Sequence, residues 1–269
     1  DIAVAVGIPV EKVRVIENPT GGSFGWAMCA ATYALAGIAC KVTGMPVALS
    51  MDYDQFMAIS GKRSPCYSNG RVGCDENGKI TAVEFDCGLD HGAYPELGDD
   101  KLQIILRFMF FPYNIKNAMG LTRVAVTNHA FGTAYRGYGS PQAYTCSEAL
   151  MDMLAEKAGI DPFEFRYINI AREGDEHLNQ YKFLQYPMEK IMDKMRPLYE
   201  EAKLRAKAED TPEKRRGVGI AWGGFKVGLG HIDEATVAIE LMPGDRPKFR
   251  KYDTWQDQGQ GGDAGSLIC

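Results

Sequence analysis

The sequence has 269 residues, 45% of them hydrophobic, with 30 Gly and 13 Pro, enough apolar material for one large core or two modest ones. Its formal charge of −5, from 30 Lys and Arg against 35 Asp and Glu with no block of like charge, excludes the footprint of a nucleic-acid or anionic-membrane binder. No apolar run approaches the roughly 20 residues of a membrane span and no signal segment opens the chain, so a globular, cytoplasmic protein is expected.

In chain order, "EKVRVIENP" (11–19) suggests a short strand, and an Ala-rich run predicts a helix from Met28 to Val42, closed by Gly44 and Pro46. "PVALSMDY" (46–53) reads as a strand. In "RVGCDENGKITAVEFDCG" (71–88), Asn77-Gly78 separates two β-leaning runs and predicts a hairpin. "GLTRVAVTNHAFG" (120–132) is a further strand, leading to the turn "AYRGYGSPQ" (134–142). Ser140 is expected to cap a helix that runs from Pro141 to about Lys157, with Gly159 past its end. On that helix Leu150, Met153 and Leu154 are expected to share a face, and Glu148 and Asp152 to be solvated or paired with a basic neighbour. Asp161-Pro162 starts a second, short helix to about Ala171. The polar stretch 172–187 reads as a connection, a helix follows from Met188 to Lys207, and "GVGIAWGG" and "ATVAIEL" read as strands. The mixture predicts an α+β fold with mixed sheets and packed helices.

Seven cysteines (Cys29, Cys40, Cys66, Cys74, Cys87, Cys146, Cys269) show no CxxC, and the four histidines (His91, His129, His177, His231) show no ligand spacing. Reduced, mostly buried thiols and no protein-ligated metal or iron–sulfur cluster are therefore expected in this chain. The chain opens without an initiator Met and stops on "DAGSLIC", which predicts a piece of something larger.

Three glycine-rich turns each precede a possible helix start. "GGSFG" carries Gly21, Gly22, Phe24 and Gly25; "YRGYGS" carries Arg136, Gly137, Tyr138 and Gly139; "DQGQGGDAG" carries Gly259, Gln260, Gly261, Gly262 and Gly265. Glycine lets backbone amides approach a ligand closely, and a helix start adds unsatisfied N–H groups, so anionic or electron-rich ligands suit such turns. Arg136 adds a fork of donors for a phosphate or dithiolene-like group, and Gln260 both donates and accepts, as the amide edge of a heterocycle requires. None of the three matches a Rossmann or P-loop pattern. A non-catalytic anion- or nucleotide-binding module, or a scaffold fragment, stays open on these residues alone.

"GGSFG", "GKRSP", "DHGAYPELG", "AYRGYGSPQ" before "EALMDMLAEKAGIDPFEFRYIN", and "DQGQGGDAG", in this order, resemble the molybdopterin-binding large subunit of the molybdenum hydroxylases, the xanthine oxidase and aldehyde oxidoreductase family. The resemblance covers nearly the whole chain. It implies molybdenum carried by molybdopterin, or by its cytosine dinucleotide form, with no direct protein ligand to the metal. By motif, Gly22, Phe24, Gly25, Arg136, Gln260 and Gly261 would hold the cofactor, Phe24 and Arg136 would lie near the molybdenum, and Tyr138 would flank the substrate. The chemistry implied is oxidation of an aldehyde or N-heterocycle with oxygen derived from water. Electrons would leave through iron–sulfur clusters, with FAD a further carrier, on other domains or subunits.

Departures from the family pattern restrict the substrate. Purine-hydroxylating relatives carry Lys-Glu where Ala27 and Met28 stand, and an arginine where the best alignment puts Ile104, so purine oxidation is disfavoured. Carbon monoxide dehydrogenases carry a cysteine at the place of Gly137. The family's general-base glutamate is expected beyond Cys269, so no catalytic residue is assigned in this chain. On the same pattern, residues 1–183 are the C-terminal part of the first molybdopterin-binding domain and 184–269 the start of the second. The partners implied are the remainder of the subunit, an iron–sulfur subunit or domain, a flavin subunit in some assemblies, and a small-molecule substrate, with neither nucleic acid nor membrane.

Overall fold

The structure is a computed structural model that describes residues 2–16, 21–26, 30–94, 97–178, 180–225, 235–240, 248–253, 257, 259–262 and 264–265. Ala27, Met28, Cys29, His231 and Cys269 lie outside the described residues. The elements in order are α1 (Ile2–Val6), a 3-10 turn (Val10–Lys12), α2 (Ala31–Thr43), α3 (Tyr53–Ile59), β1 (Cys66–Cys74), β2 (Ile80–Asp90) and α4 (Gly98–Phe108). There follow β3 (Ala118–Ala125), α5 (Ser140–Ala158), α6 (Pro162–Asn169), α7 (Met188–Ala208), β4 (Ala235–Glu240) and β5 (Lys248–Asp253). The chain forms two compact units: residues 1–61, 134–136 and 226–269 make the first, and 62–133 with 137–225 the second.

The second unit is built around β2. Asn77-Gly78 turns β1 back antiparallel onto β2, and β3 then pairs with β2 in parallel. A parallel return needs a crossover, which α4 supplies. Along β2 alternation drives Val83, Phe85, Cys87 and Leu89 to one buried face, against Ile104, Ile105 and Phe108 of α4. Asp161 caps α6 through its carboxylate, which accepts from the Phe163 N–H at 2.8 Å, and Phe163 stacks on Tyr199 of α7 at 5.2 Å.

Several elements differ from the sequence expectation for identifiable reasons. The segment 46–52 forms no strand; Asp52 instead makes a reciprocal capping box with Gln55 and starts α3. The stretch 13–16 is not a strand, and neither is "GVGIAWGG", where the Trp222 and Gly224 N–H groups are bound by the Glu148 carboxylate and the Tyr144 hydroxyl. Ser140 does not cap α5: Gly139 occupies the cap, and the Ser140 hydroxyl donates to the Gly137 carbonyl at 2.7 Å. The buried face of α5 carries Ala143, Cys146, Met151 and Ala155, whereas Met153 is exposed. Of the five described cysteines only Cys87 and Cys146 are buried.

Glu148 is buried with Arg166, and their contacts join four segments. The Glu148 carboxylate accepts from the Tyr113 hydroxyl at 2.6 Å, from Arg166 Nε at 2.8 Å and from the Trp222 N–H at 2.9 Å. Arg166 also donates Nη2 to the Glu148 carbonyl at 3.2 Å and pairs Nη1 with the exposed Asp152 at 2.7 Å. The acidic pair on α5 is thus divided, with one member built into the core and the other at its rim. Burial, then the Glu148 charge, pushes the Tyr113 phenol well above its ordinary range.

Two outcomes are expected. Arg166→Met strands the Glu148 carboxylate in the core and should destabilise the unit by about 3–5 kcal/mol, whereas Glu148→Met combined with Arg166→Met should cost less than the sum of the two single changes. Unfolding midpoints of the four proteins in a double-mutant cycle check this. Tyr144 is pushed up to about 12 by burial, so its phenol is neutral in the fold below that value. Stability from this group is complete below the ordinary tyrosine range and is lost as pH rises through about 12. A tyrosinate titration of Tyr144→Phe should lack one late-ionising phenol.

Candidate functional site

Of the three glycine-bearing turns singled out in the sequence, 21–25 and 257–261 belong to the first unit, whereas the second turn is divided, with Ala134–Arg136 in the first unit and its glycines, Gly137 and Gly139, in the second. In the first turn the Ser23 hydroxyl accepts from the Gly25 N–H at 3.3 Å and the Ser23 carbonyl from the Trp26 N–H at 3.0 Å. Phe24 is held at φ 53°, in the left-handed region that non-glycine residues seldom enter, with its side chain exposed. Its ring folds back over Gly22, where a Cβ would lie 2.9 Å from the ring edge.

The other two segments flank this turn at backbone distance. At Gly25, φ +98°, a Cβ would lie 3.2 Å from both the carbonyl carbon and the oxygen of Ala134. At Gly259, also φ +98°, it would lie 2.8 Å from the N and Cα of Gly22. The third turn is shaped by Asp257, whose Oδ1 accepts the Gly259 N–H at 2.9 Å and the Gly261 N–H at 3.2 Å. Asp257 was not singled out in the sequence, although an aspartate two residues before a glycine is a legible turn signal. Gln260 and Arg136 are both exposed, Arg136 two residues after the buried Ala134.

Tyr138 belongs to the second unit. It sits at φ 41° between Gly137 at φ 91° and Gly139 at φ 100°, three consecutive left-handed residues that force the chain from the arginine into α5. Glycine at 139 is required twice over, because a Cβ there would also press on the Lys101 carbonyl at 3.0 Å. Burial, then the Asp100 charge, pushes the Tyr138 phenol up to about 12, so it stays a neutral hydrogen-bond donor at ordinary pH. The aromatic residues of the first two turns, Phe24 and Tyr138, thus share a strained backbone state, of the kind that accumulates at binding sites. Ile104 is buried against Gly139 within the second unit.

Two further motifs meet in the second unit, and the sequence alone did not link them. Ser64 of "GKRSP" joins His91 of "DHGAYPELG" through Oγ and Nδ1 at 2.8 Å, and Lys101 Nζ donates to the same Oγ at 3.3 Å. All three side chains are buried. Lys62 pairs with the strand-like Phe131–Thr133 segment, donating its N–H to Phe131 O at 3.1 Å.

The two packed glycine turns and the Ala134–Arg136 segment fit a flat, anionic cofactor such as a metallo-pterin. Glycine leaves no Cβ between the backbones, and Arg136 supplies an exposed planar cation. The Trp26 indole N–H is buried with no hydrogen-bond partner among the described residues, a donor awaiting an acceptor. Among the described residues no group of three or more His, Cys, Asp or Glu is arranged to hold a metal ion. No described helix is long and apolar enough to cross a membrane.

The family model of the molybdopterin cofactor-binding domain matches residues 1–170. The chain is 38% identical over 266 residues to the aldehyde oxidoreductase of Megalodesulfovibrio gigas, covering 99% of this chain and 29% of that protein. It superposes on the crystal structure of the aldehyde oxidoreductase from Desulfovibrio desulfuricans with a TM-score of 0.89 at 41% identity, over 97% of this chain and 29% of that one. It is also 35% identical over 181 residues to the xanthine dehydrogenase/oxidase of Gallus gallus, 66% of this chain and 13% of that protein. The chain therefore spans less than a third of the length of these relatives.

The glycine packing yields a graded test. Gly259→Ala meets both an unfavourable φ and the backbone of Gly22, whereas Gly261→Ala, at φ +79° with nothing within 4 Å, meets strain alone. Gly261→Ala should cost about 1 kcal/mol and Gly259→Ala clearly more, with a larger loss of bound molybdenum, measured by melting temperature and elemental analysis of the whole subunit. With the family model, the identity and the superposition in agreement, this chain belongs to the molybdopterin cofactor-binding domain family of the molybdenum hydroxylases.

Proposed function

We propose that this chain is part of the molybdopterin-binding subunit of a molybdenum hydroxylase that oxidises an aldehyde or a neutral N-heterocycle, with oxygen derived from water. The observation that carries the reading is the backbone-to-backbone packing of the Gly21–Gly25 turn between Ala134 and Gly259, a cradle that a single Cβ would fill. The aldehyde branch is favoured by the identity of 38% and 41% to two aldehyde oxidoreductases and by the buried Ile104 where purine relatives place an arginine.

When bound, the cofactor would supply the redox chemistry, and the residues of this chain would bind, orient and shield it. Gly22, Gly25 and Gly261 would let backbone amides approach it, Phe24 would cover it with an apolar ring that excludes water, and Gln260 would hydrogen-bond its heterocycle. Arg136 would clamp its anionic end with two parallel N–H donors, which a lysine cannot reproduce. Tyr138 would face the substrate as a neutral donor. The general-base glutamate belongs to a part of the subunit outside this sequence. Electron transfer to iron–sulfur clusters on another domain or subunit, a flavin beyond them, and a cytosine dinucleotide on the pterin complete the reading.

Arg136 decides it. In the intact subunit Arg136→Ala should lower cofactor retention and aldehyde turnover about ten- to a hundredfold, as expected for a lost charged hydrogen bond of about 1.5–3 kcal/mol, and Arg136→Lys should recover only part of it. Molybdenum content and turnover at wild-type level after Arg136→Ala would rule the assignment out. A purified subunit without stoichiometric molybdenum would instead favour a non-catalytic scaffold.

A further inference from the structure

Outside the cofactor cradle, the second unit has a groove of about 520 Å³ between β1 and α5, lined by Arg63, Cys66, Gln142, Cys146 and Leu150 among others. The cysteine sulfurs of Cys66 and Cys146 line it, and a third, that of Cys87, lies behind Cys66. Cys66, exposed at the start of β1, has its Sγ 3.2 Å from the Sγ of Cys87, which is fully buried on β2. The register explains the approach: Cys66 lies opposite Leu89 and Cys87 opposite Ser68, so the two cysteines are diagonal neighbours whose side chains share one face of the sheet. Cys146 of α5 is buried and hydrogen-bonded to Ser68.

We propose that Cys66 and Cys87 form a peroxide-responsive thiol pair, in which exposed Cys66 is the sulfur oxidised first and buried Cys87 resolves it to a disulfide. Two independent features of the structure support this assignment. The groove brings solvent to one sulfur and not to the other, which divides the roles. The separation of 3.2 Å must shorten by only about 1.2 Å to reach the ordinary S–S bond length. The Cys87 thiol, donating to Cys66, lowers the Cys66 pKa, and the same hydrogen bond together with burial raises that of Cys87. Cys66 is therefore the more readily ionised sulfur of the pair, and the thiolate is the nucleophile.

The chemistry balances with hydrogen peroxide as the oxidant. The Cys66 thiolate attacks one peroxide oxygen, an S–O bond forms as the O–O bond breaks, and hydroxide leaves. That hydroxide takes the Cys87 proton and becomes water. The Cys87 thiolate attacks the Cys66 sulfur, the S–S bond forms as the S–O bond breaks, and the second hydroxide takes up the proton that Cys66 had released. In sum, two thiols lose two hydrogens and two electrons, and one peroxide becomes two waters. The product ties edge strand β1 to central strand β2 and withdraws a nucleophilic sulfur from the groove.

The test uses the full-length subunit, reduced, exposed to excess hydrogen peroxide, freed of peroxide, unfolded in urea, blocked with iodoacetamide and digested without reductant. A peptide pair joined through Cys66 and Cys87, released by dithiothreitol, is expected. Cys66→Ser should leave Cys87 fully alkylated, and Cys87→Ser should halt Cys66 at a sulfenic acid that dimedone traps. Alkylation of both cysteines after peroxide, a bridge from Cys66 to Cys146 instead, or over-oxidation of Cys66 in the unaltered protein would each overturn the proposal. Because this pair lies outside the cradle, the outcome is independent of molybdenum content.

Discussion

A buried carboxylate held by a buried guanidinium organises the second unit. Glu148 is buried, and its oxygens accept from Tyr113, Arg166 and the backbone of Trp222. Each donor comes from a different segment: the loop after α4, helix α6, and the stretch after α7. An ion pair in such a place adds little net stability over a packed apolar cluster, because desolvation offsets its attraction. What it does impose is position, since any other arrangement of these segments leaves a charge buried without a partner. Helix α5 is thereby fixed, and with it the Gly137–Gly139 turn at its N-terminus.

In the first unit position is set by the absence of side chains rather than by charge. Gly25 and Gly259 let main chains approach to distances at which a Cβ would meet backbone atoms. Backbone cannot swing aside as a flexible side chain can, so these contacts admit glycine alone. A surface made this way presents amides and carbonyls in fixed directions, which is how a protein holds a cofactor that brings its own chemistry. Phe24 and Tyr138 pay the accompanying conformational cost, each at positive φ beside a positive-φ glycine.

These two modes of construction suit the small share of the relatives' length that this chain represents. The second unit has a polar and aromatic interior: Phe108, Phe111, Phe163 and Phe183 are buried with the Glu148 network among them. Helix α2 of the first unit, by contrast, has no buried residue, and Leu35 and Val42 are exposed on it. The cysteine pair adds a different kind of chemistry to the same sheet that carries the core, using a diagonal register that neither strand specifies alone.

Local chemistry was legible in the amino-acid sequence wherever a residue acts on its own neighbours. Asn77-Gly78 announces the hairpin, Asp161-Pro162 the start of α6, and Gly159 the end of α5. The order of the motifs carried the family. Tertiary structure decided what depends on partners distant in the chain. Glu148 and Asp152 look alike on a helical wheel, and only the approach of Arg166 and Tyr113 places one in the core and leaves the other at the rim. Cys66 and Cys87, or Ser64 and His91, lie more than twenty residues apart, and no local pattern encodes that their side chains touch. Short-range preference acts through backbone conformation and can be read from one segment, whereas burial and pairing are properties of two surfaces and exist only once both are folded.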